Sequence, residues 1–149
     1  MSIVIIAVMM TAALQTVSQS NLMQFRMLER ARAQELARLL TNEILPLAYQ
    51  EPVSAISFGA EAGETRATFD DVDDYNGLSE SPLTYRDATA MGLPGPATWR
   101  RTVTVVWVDP STLADASPQV ESGAKKITVT VYHRGFAAAT LSTIRTNAP

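Results

Sequence analysis

The 149-residue chain is long enough for one domain with a modest core; 46% of its residues are apolar, and 12 basic against 15 acidic side chains give a net charge of −3. No segment is strongly basic, which argues against counter-ion-driven nucleic-acid binding. The absence of cysteine and the single histidine, His133, exclude a disulfide framework and thiolate metal sites, and leave little acid–base chemistry near neutral pH.

The chain opens MSIVIIAVMMTAALQTVSQSNLMQF, and its first charged side chain is Arg26. Ser2, Thr11, Gln15 and Thr16 are the only polar residues in the first 17. A helix of that length is about 25 Å long, slightly short of the ~30 Å hydrocarbon core of a bilayer, and SQSNLMQF extends it to spanning length. A cleaved export signal would begin with basic residues, and none precedes this run. Neither Gly nor Pro occurs between Gln15 and Leu45, so the helical pattern continues. From Leu22 onward Phe25, Leu28, Leu36, Leu39, Leu40 and Ile44 recur near the 3.6-residue period, while Arg26, Glu29, Arg30, Arg32, Glu35, Arg38 and Glu43 fill the other faces. Pro46 ends the pattern near Leu45. The expectation is one helix of roughly 45 residues, about 65 Å long, apolar all round in its first half and amphipathic in its second. Residues 1–20 read as a membrane or filament-core segment. Residues 21–149 read as a head made of a half-helix (21–45), a loop region (46–99) and a sheet (100–147).

Beyond Pro46 the texture becomes short strands and loops. Residues 55–60 (AISFGA) and 65–69 read as short strands, followed by a long ordered loop rich in Asp, Ser, Gly and Pro with one helical turn inside. RRTVTVVWVD (100–109) is the strongest strand, with Val103, Val105 and Trp107 on one face and Thr102, Thr104, Val106 and Val108 on the other. KKITVTVYH (125–133) alternates in the same way, Ile127, Val129 and Val131 against Thr128, Thr130 and Tyr132. Arg134-Gly135 makes a turn into a third strand, AAATLSTIR (137–145). A long helix before three antiparallel strands gives an α+β fold, with the Val103/Ile127 face of the sheet packed on the 28–44 side of the helix. Arg100-Arg101 and Lys125-Lys126 read as solvated strand ends.

The string SIVIIAVMMTAAL resembles the hydrophobic segment that follows the processing site in type IV pilins and the pseudopilins of type II secretion. The helix-then-meander order resembles the same family, and FDDVDDYNG and LSTIRTN resemble segments of minor, mannose-sensitive-haemagglutinin-type pilins. The family carries a short basic leader ending in Gly, cut by a prepilin peptidase, a methylated new N-terminus, and a Glu a few residues further in. By this alignment those features would lie just upstream of Met1, and the expectation is a missing upstream stretch.

The resemblance implies a structural subunit, held in the bacterial inner membrane with a periplasmic head and later extracted into a filament, as a minor pilin or pseudopilin. Its partners would be inner-membrane lipid, then copies of itself or related subunits, and the prepilin peptidase. Ile3, Val4, Ile5, Ile6, Ala7, Val8 and Met9 would carry assembly, and the small residues Ala7, Ala12 and Ala13 would allow close helix approach. The alternative is a signal-anchored periplasmic binding module that never polymerises. Four carboxylates, Asp70, Asp71, Asp73 and Asp74, fall within DDVDDYNG, and two readings stay open. A short acidic loop can supply oxygens to Ca²⁺, as some pseudopilins do, although the EF-hand spacing is not met. Otherwise the loop is a solvated turn whose aspartates cap backbone N–H groups. No Ser-His-Asp or metal pairing is suggested by the spacing around His133, and no phosphate loop or nucleophile elbow occurs, so no enzyme and no cofactor are expected.

Overall fold

The computed structural model describes residues 2–51 and 58–147, without the side chains at positions 2–5, 7, 8, 11 and 12. The first element is α1, Ser2–Ile44, uninterrupted by Gly or Pro. It ends where Pro46 removes a donor: Leu45 N–H still bonds Thr41 O at 2.9 Å, and Leu47 N–H then closes a tighter turn onto Ile44 O at 3.1 Å. The chain divides into two compact units, Met1–Arg32 and Ala33–Pro149.

The first unit belongs to α1, and its described large apolar side chains are exposed, from Ile6 and Met9 through Leu22, Phe25 and Leu28. The second unit is an α+β domain. Its sheet runs β1 (Ser79–Glu80), β2 (Trp99–Trp107), β3 (Ala124–His133) and β4 (Phe136–Thr146) in that spatial order, every pair antiparallel. Register places Val103 opposite Val129 and Val129 opposite Leu141, so rows of β-branched and aliphatic side chains cross the inner face. On the helix, Ala33, Leu36, Ala37, Leu40, Thr41 and Ile44 are buried, a stripe at three- and four-residue spacing. This stripe forms one core with Trp99, Val103, Val105, Ile127, Val129 and Val131, to which Val72, Tyr75 and Leu83 add from the intervening loop. The outer face carries hydroxyls in register: Thr128 pairs with Ser142 at 3.1 Å and Thr130 with Thr140 at 3.4 Å.

Several expectations need correction. Leu28 is 65% and Leu39 41% exposed, so the packed side of the helix is narrower and begins later than the 28–44 pattern implied. Residues 65–69 form a turn, because Thr65 and Thr68 satisfy one another: Thr65 N–H donates to Thr68 Oγ1 at 2.9 Å and Thr68 Oγ1 donates to Thr65 O at 2.9 Å. Of the strand expected at 55–60, residues 55–57 lie outside the described residues, and 58–60 are not in a strand. The sheet has a fourth strand, β1, whose two residues pair with Thr102 and Arg101. So short a strand leaves no periodicity in the sequence. The long loop contains two single-turn 3₁₀ helices, Asp73–Tyr75 and Pro96–Thr98, where one turn was expected.

Candidate functional site

Among the residues expected to carry assembly, Ile6 is 63% and Met9 69% exposed, and Ala13 is also exposed. The side chains of Ile3, Val4, Ile5, Ala7, Val8 and Ala12 lie outside the described residues. The exposed apolar series continues through Met10, Leu14, Val17, Leu22, Met23, Phe25, Met27 and Leu28. Successive helical residues turn by about 100°, so these positions occupy every side of the rod rather than one stripe. Among the described residues, no helix is long and apolar enough to cross a membrane.

The aspartate cluster is not a solvated turn. Asp70 is exposed, but Asp71, Asp73 and Asp74 are nearly inaccessible. Asp71 Oδ1 accepts the N–H groups of Asp73 at 2.8 Å and Asp74 at 3.2 Å, and Asp74 Oδ2 accepts those of Asp70 at 3.0 Å and Asp71 at 3.1 Å. The expected capping of backbone donors is therefore present, but below the surface. Burial and the neighbouring Asp73 push the Asp71 carboxyl up to about 7. Burial raises Asp74 as well.

Asp73 faces a cation: its Oδ1 accepts from Lys125 Nζ, with both side chains 2% exposed. Asp73 Oδ2 accepts Gly59 N–H at 3.3 Å. Lys125 Nζ also donates to Tyr49 O at 2.6 Å and stands 4.4 Å from the centre of the Tyr49 ring and 5.9 Å from that of Phe58. Phe58 packs on Trp107 at 4.2 Å between centroids. Glu121 ties this aromatic cover together, accepting from Tyr49 Oη at 2.8 Å and Trp107 Nε1 at 3.1 Å. Burial raises the Glu121 carboxyl, but the Gly123 N–H and the bonds from Tyr49, Gln50 and Trp107 outweigh it and hold the group below its ordinary value.

A second group of charges lies between helix, loop and sheet. Arg101 is fully buried and donates to Glu80 Oε1, to Thr84 O at 2.7 Å and to Leu36 O at 3.4 Å. Glu80 also pairs with Arg66 at 2.8 Å, and Arg66 grips Glu43. Arg101 and Lys125 were expected at solvated strand ends, and the register overturns this. Lys125 lies opposite Trp107 and Arg101 opposite Val131, at opposite ends of the β2–β3 pair, and both share the inward parity of Val103, Val105, Ile127 and Val129. The alternation in the sequence already held that signal, since 101, 103 and 105 face one way and 125, 127 and 129 do too. Arg100 lies over the Tyr132 ring at 4.4 Å, and Lys126 makes an exposed pair with Asp115.

Glu61, Glu64 and Asp74 are the one set of three potential ligand side chains, among the described residues, close enough to share a cation. Asp70, Asp71 and Asp73 are not part of it. The hydrogen bond that the Glu61 carboxyl makes to Glu64 favours its protonated form and raises it above its ordinary value. His133 stacks on Trp99, with centroids 4.2 Å apart and planes at 20°. Neither the long loop's carboxylates nor Arg66, Glu43 and Glu80 could be paired from spacing, because each partner arrives from a different element. Comparison with family models, curated proteins and solved structures finds no match to this chain.

Proposed function

We propose that this protein is a structural subunit of a type IV pilus-like or type II secretion-like filament, a minor pilin or pseudopilin anchored in the inner membrane before assembly. The observation that carries the reading is the first compact unit, where Ile6, Met9, Met10, Leu14, Val17, Leu22, Met23, Phe25, Met27 and Leu28 are each 57–69% exposed. Bare apolar surface on every side of a helix is unfavourable in water by about 25 cal/mol per Å². Lipid or neighbouring helices remove that cost equally well, so one segment serves first as anchor and then as filament core. The second unit supplies a rigid head: its buried helix stripe and sheet form a core of their own.

Cross-linking tests this directly, because the chain has no cysteine of its own. Single cysteines at Ile6, Met9 and Ala13, oxidised or bridged in intact membranes, are expected to give a ladder of subunit–subunit products. Labelling by lipid probes alone would instead identify the non-polymerising, signal-anchored binding module.

A further inference from the structure

We propose that Lys125 and Asp73 condense into an intramolecular isopeptide bond, with Asp71 as the proton carrier. The three groups meet in the second compact unit. Lys125 Nζ touches Asp73 Oδ1, both side chains are 2% exposed, and Asp71 is 1% exposed beside them. Tyr49 and Phe58 cover the ammonium, and Trp107 backs Phe58.

Amide formation runs through the amine and the carboxylic acid, and the aromatic cover over this buried contact keeps bulk water away from the reacting atoms. Holding amine and carboxyl in contact replaces a bimolecular encounter, an advantage worth effective concentrations of about 10⁵ M or more when the alignment is good. Asp71 is hydrogen-bonded to the Asp73 carboxyl, and burial raises its affinity for a proton to about pH 7.

The step balances without any added reagent. The proton of the Lys125 ammonium passes to Asp73, leaving an amine and an acid. The amine nitrogen bonds Asp73 Cγ, and Oδ2 carries the developing charge against the Gly59 N–H. Asp71 gives its proton to Oδ1, the Cγ–Oδ1 bond breaks, and one water leaves. A proton from the nitrogen then restores Asp71. Lys126–Asp115 joins the same two functional groups, but its side chains are 29% and 59% exposed and lack that cover, so it serves as the internal control.

The experiment is the intact mass of the purified full-length chain under denaturing conditions, followed by tandem mass spectrometry of its digest. The expected result is a mass one water below that of the sequence, with a branched peptide joining Lys125 to the segment containing Asp73. Lys125→Arg is expected to restore the full mass, and Lys126→Met to keep the deficit. Asp71→Asn, checked for folding by its melting curve, is expected to lose the bond or form it at least tenfold more slowly. A full sequence mass for the wild-type chain after prolonged incubation at neutral pH overturns the proposal. So does a water deficit with only linear peptides, the signature of a cyclic imide. An Asp71→Asn chain that forms the bond at the wild-type rate removes Asp71 from the mechanism. Because the readout is the covalent mass of the head, it is independent of whether the protein polymerises.

Discussion

Arg66 holds Glu43 with two parallel hydrogen bonds, Nε to Oε1 at 2.8 Å and Nη2 to Oε2 at 2.7 Å, joining the loop after residue 58 to the last turn of α1. The same carboxylate accepts Tyr75 Oη at 2.7 Å, and Arg66 Nη1 goes on to Glu80 at 2.8 Å. Fork-to-fork geometry makes this the strongest class of ion pair, and partial exposure, 11% and 16% for the two side chains, moderates it. Glu43→Gln is expected to destabilise the head by about 2 kcal/mol, and Arg66→Met by a similar amount. The double variant should cost clearly less than the sum, because the second change removes a charge already left unpaired. Chemical denaturation of the four proteins in a double-mutant cycle measures the coupling.

The same contact predicts a pH dependence. Burial raises the Glu43 carboxyl, but the Arg66 and Tyr75 hydrogen bonds and the Arg66 charge outweigh it, so the folded value lies below the ordinary 4.5. A group depressed in the folded state contributes its stabilisation in full above about pH 4.5, and that contribution is lost as pH falls through the lower folded value. The stability difference between wild type and Glu43→Gln should therefore be constant at pH 6 and shrink below pH 4.5. Urea midpoints for both chains from pH 6 down to well below pH 4.5 read it, and a difference that stays level across that range would sink the assignment.

Two leucines on the same helix should behave in opposite ways. Leu40 is fully buried in the head core and Leu28 is 65% exposed in the first unit. Leu40→Ala is expected to cost about 3 kcal/mol of head stability through lost burial and the cavity left behind. Leu28→Ala should change the unfolding of the head by less than about 0.5 kcal/mol. On the filament reading, Leu28→Glu should nonetheless reduce cross-linked oligomers several-fold, which separates stability from assembly in one pair of measurements.

The β3–β4 hairpin closes on two residues, Arg134 at φ 52° and Gly135 at φ 85°. Both are left-handed, as the tightest hairpin loops require. A Cβ at Gly135 meets open space, so Gly135→Ala is resisted by backbone conformation alone and should cost about 1 kcal/mol. Arg134→Asn should stabilise by a few tenths of a kcal/mol, because Asn tolerates that region better than Arg. Thermal melting of the two variants gives the signs directly.

The helix, the three long strands and the hairpin turn were legible because each is fixed by a local period or a local backbone demand. Strand ends moved by only a residue or two: 100–109 became Trp99–Trp107 and 137–145 became Phe136–Thr146. Residues 65–69 misled because the Thr68 hydroxyl satisfies both the N–H and the carbonyl of Thr65, which a β-propensity reading does not register. Arg101 and Lys125 were misplaced because a charge at a strand end is ordinarily solvated, although their parity already pointed inward.

By itself, then, the amino-acid order determined the apolar rod, its stop at Pro46 and the alternating faces of β2 and β3, since these depend on neighbours within a few positions. Which charges would meet was decided only by the tertiary structure. Asp73 reaches Lys125 across 52 positions, and Glu43 reaches Arg66 across 23. Pairings of that span carry no sequence period, and they are selected by the high cost of leaving a buried charge without an opposite partner.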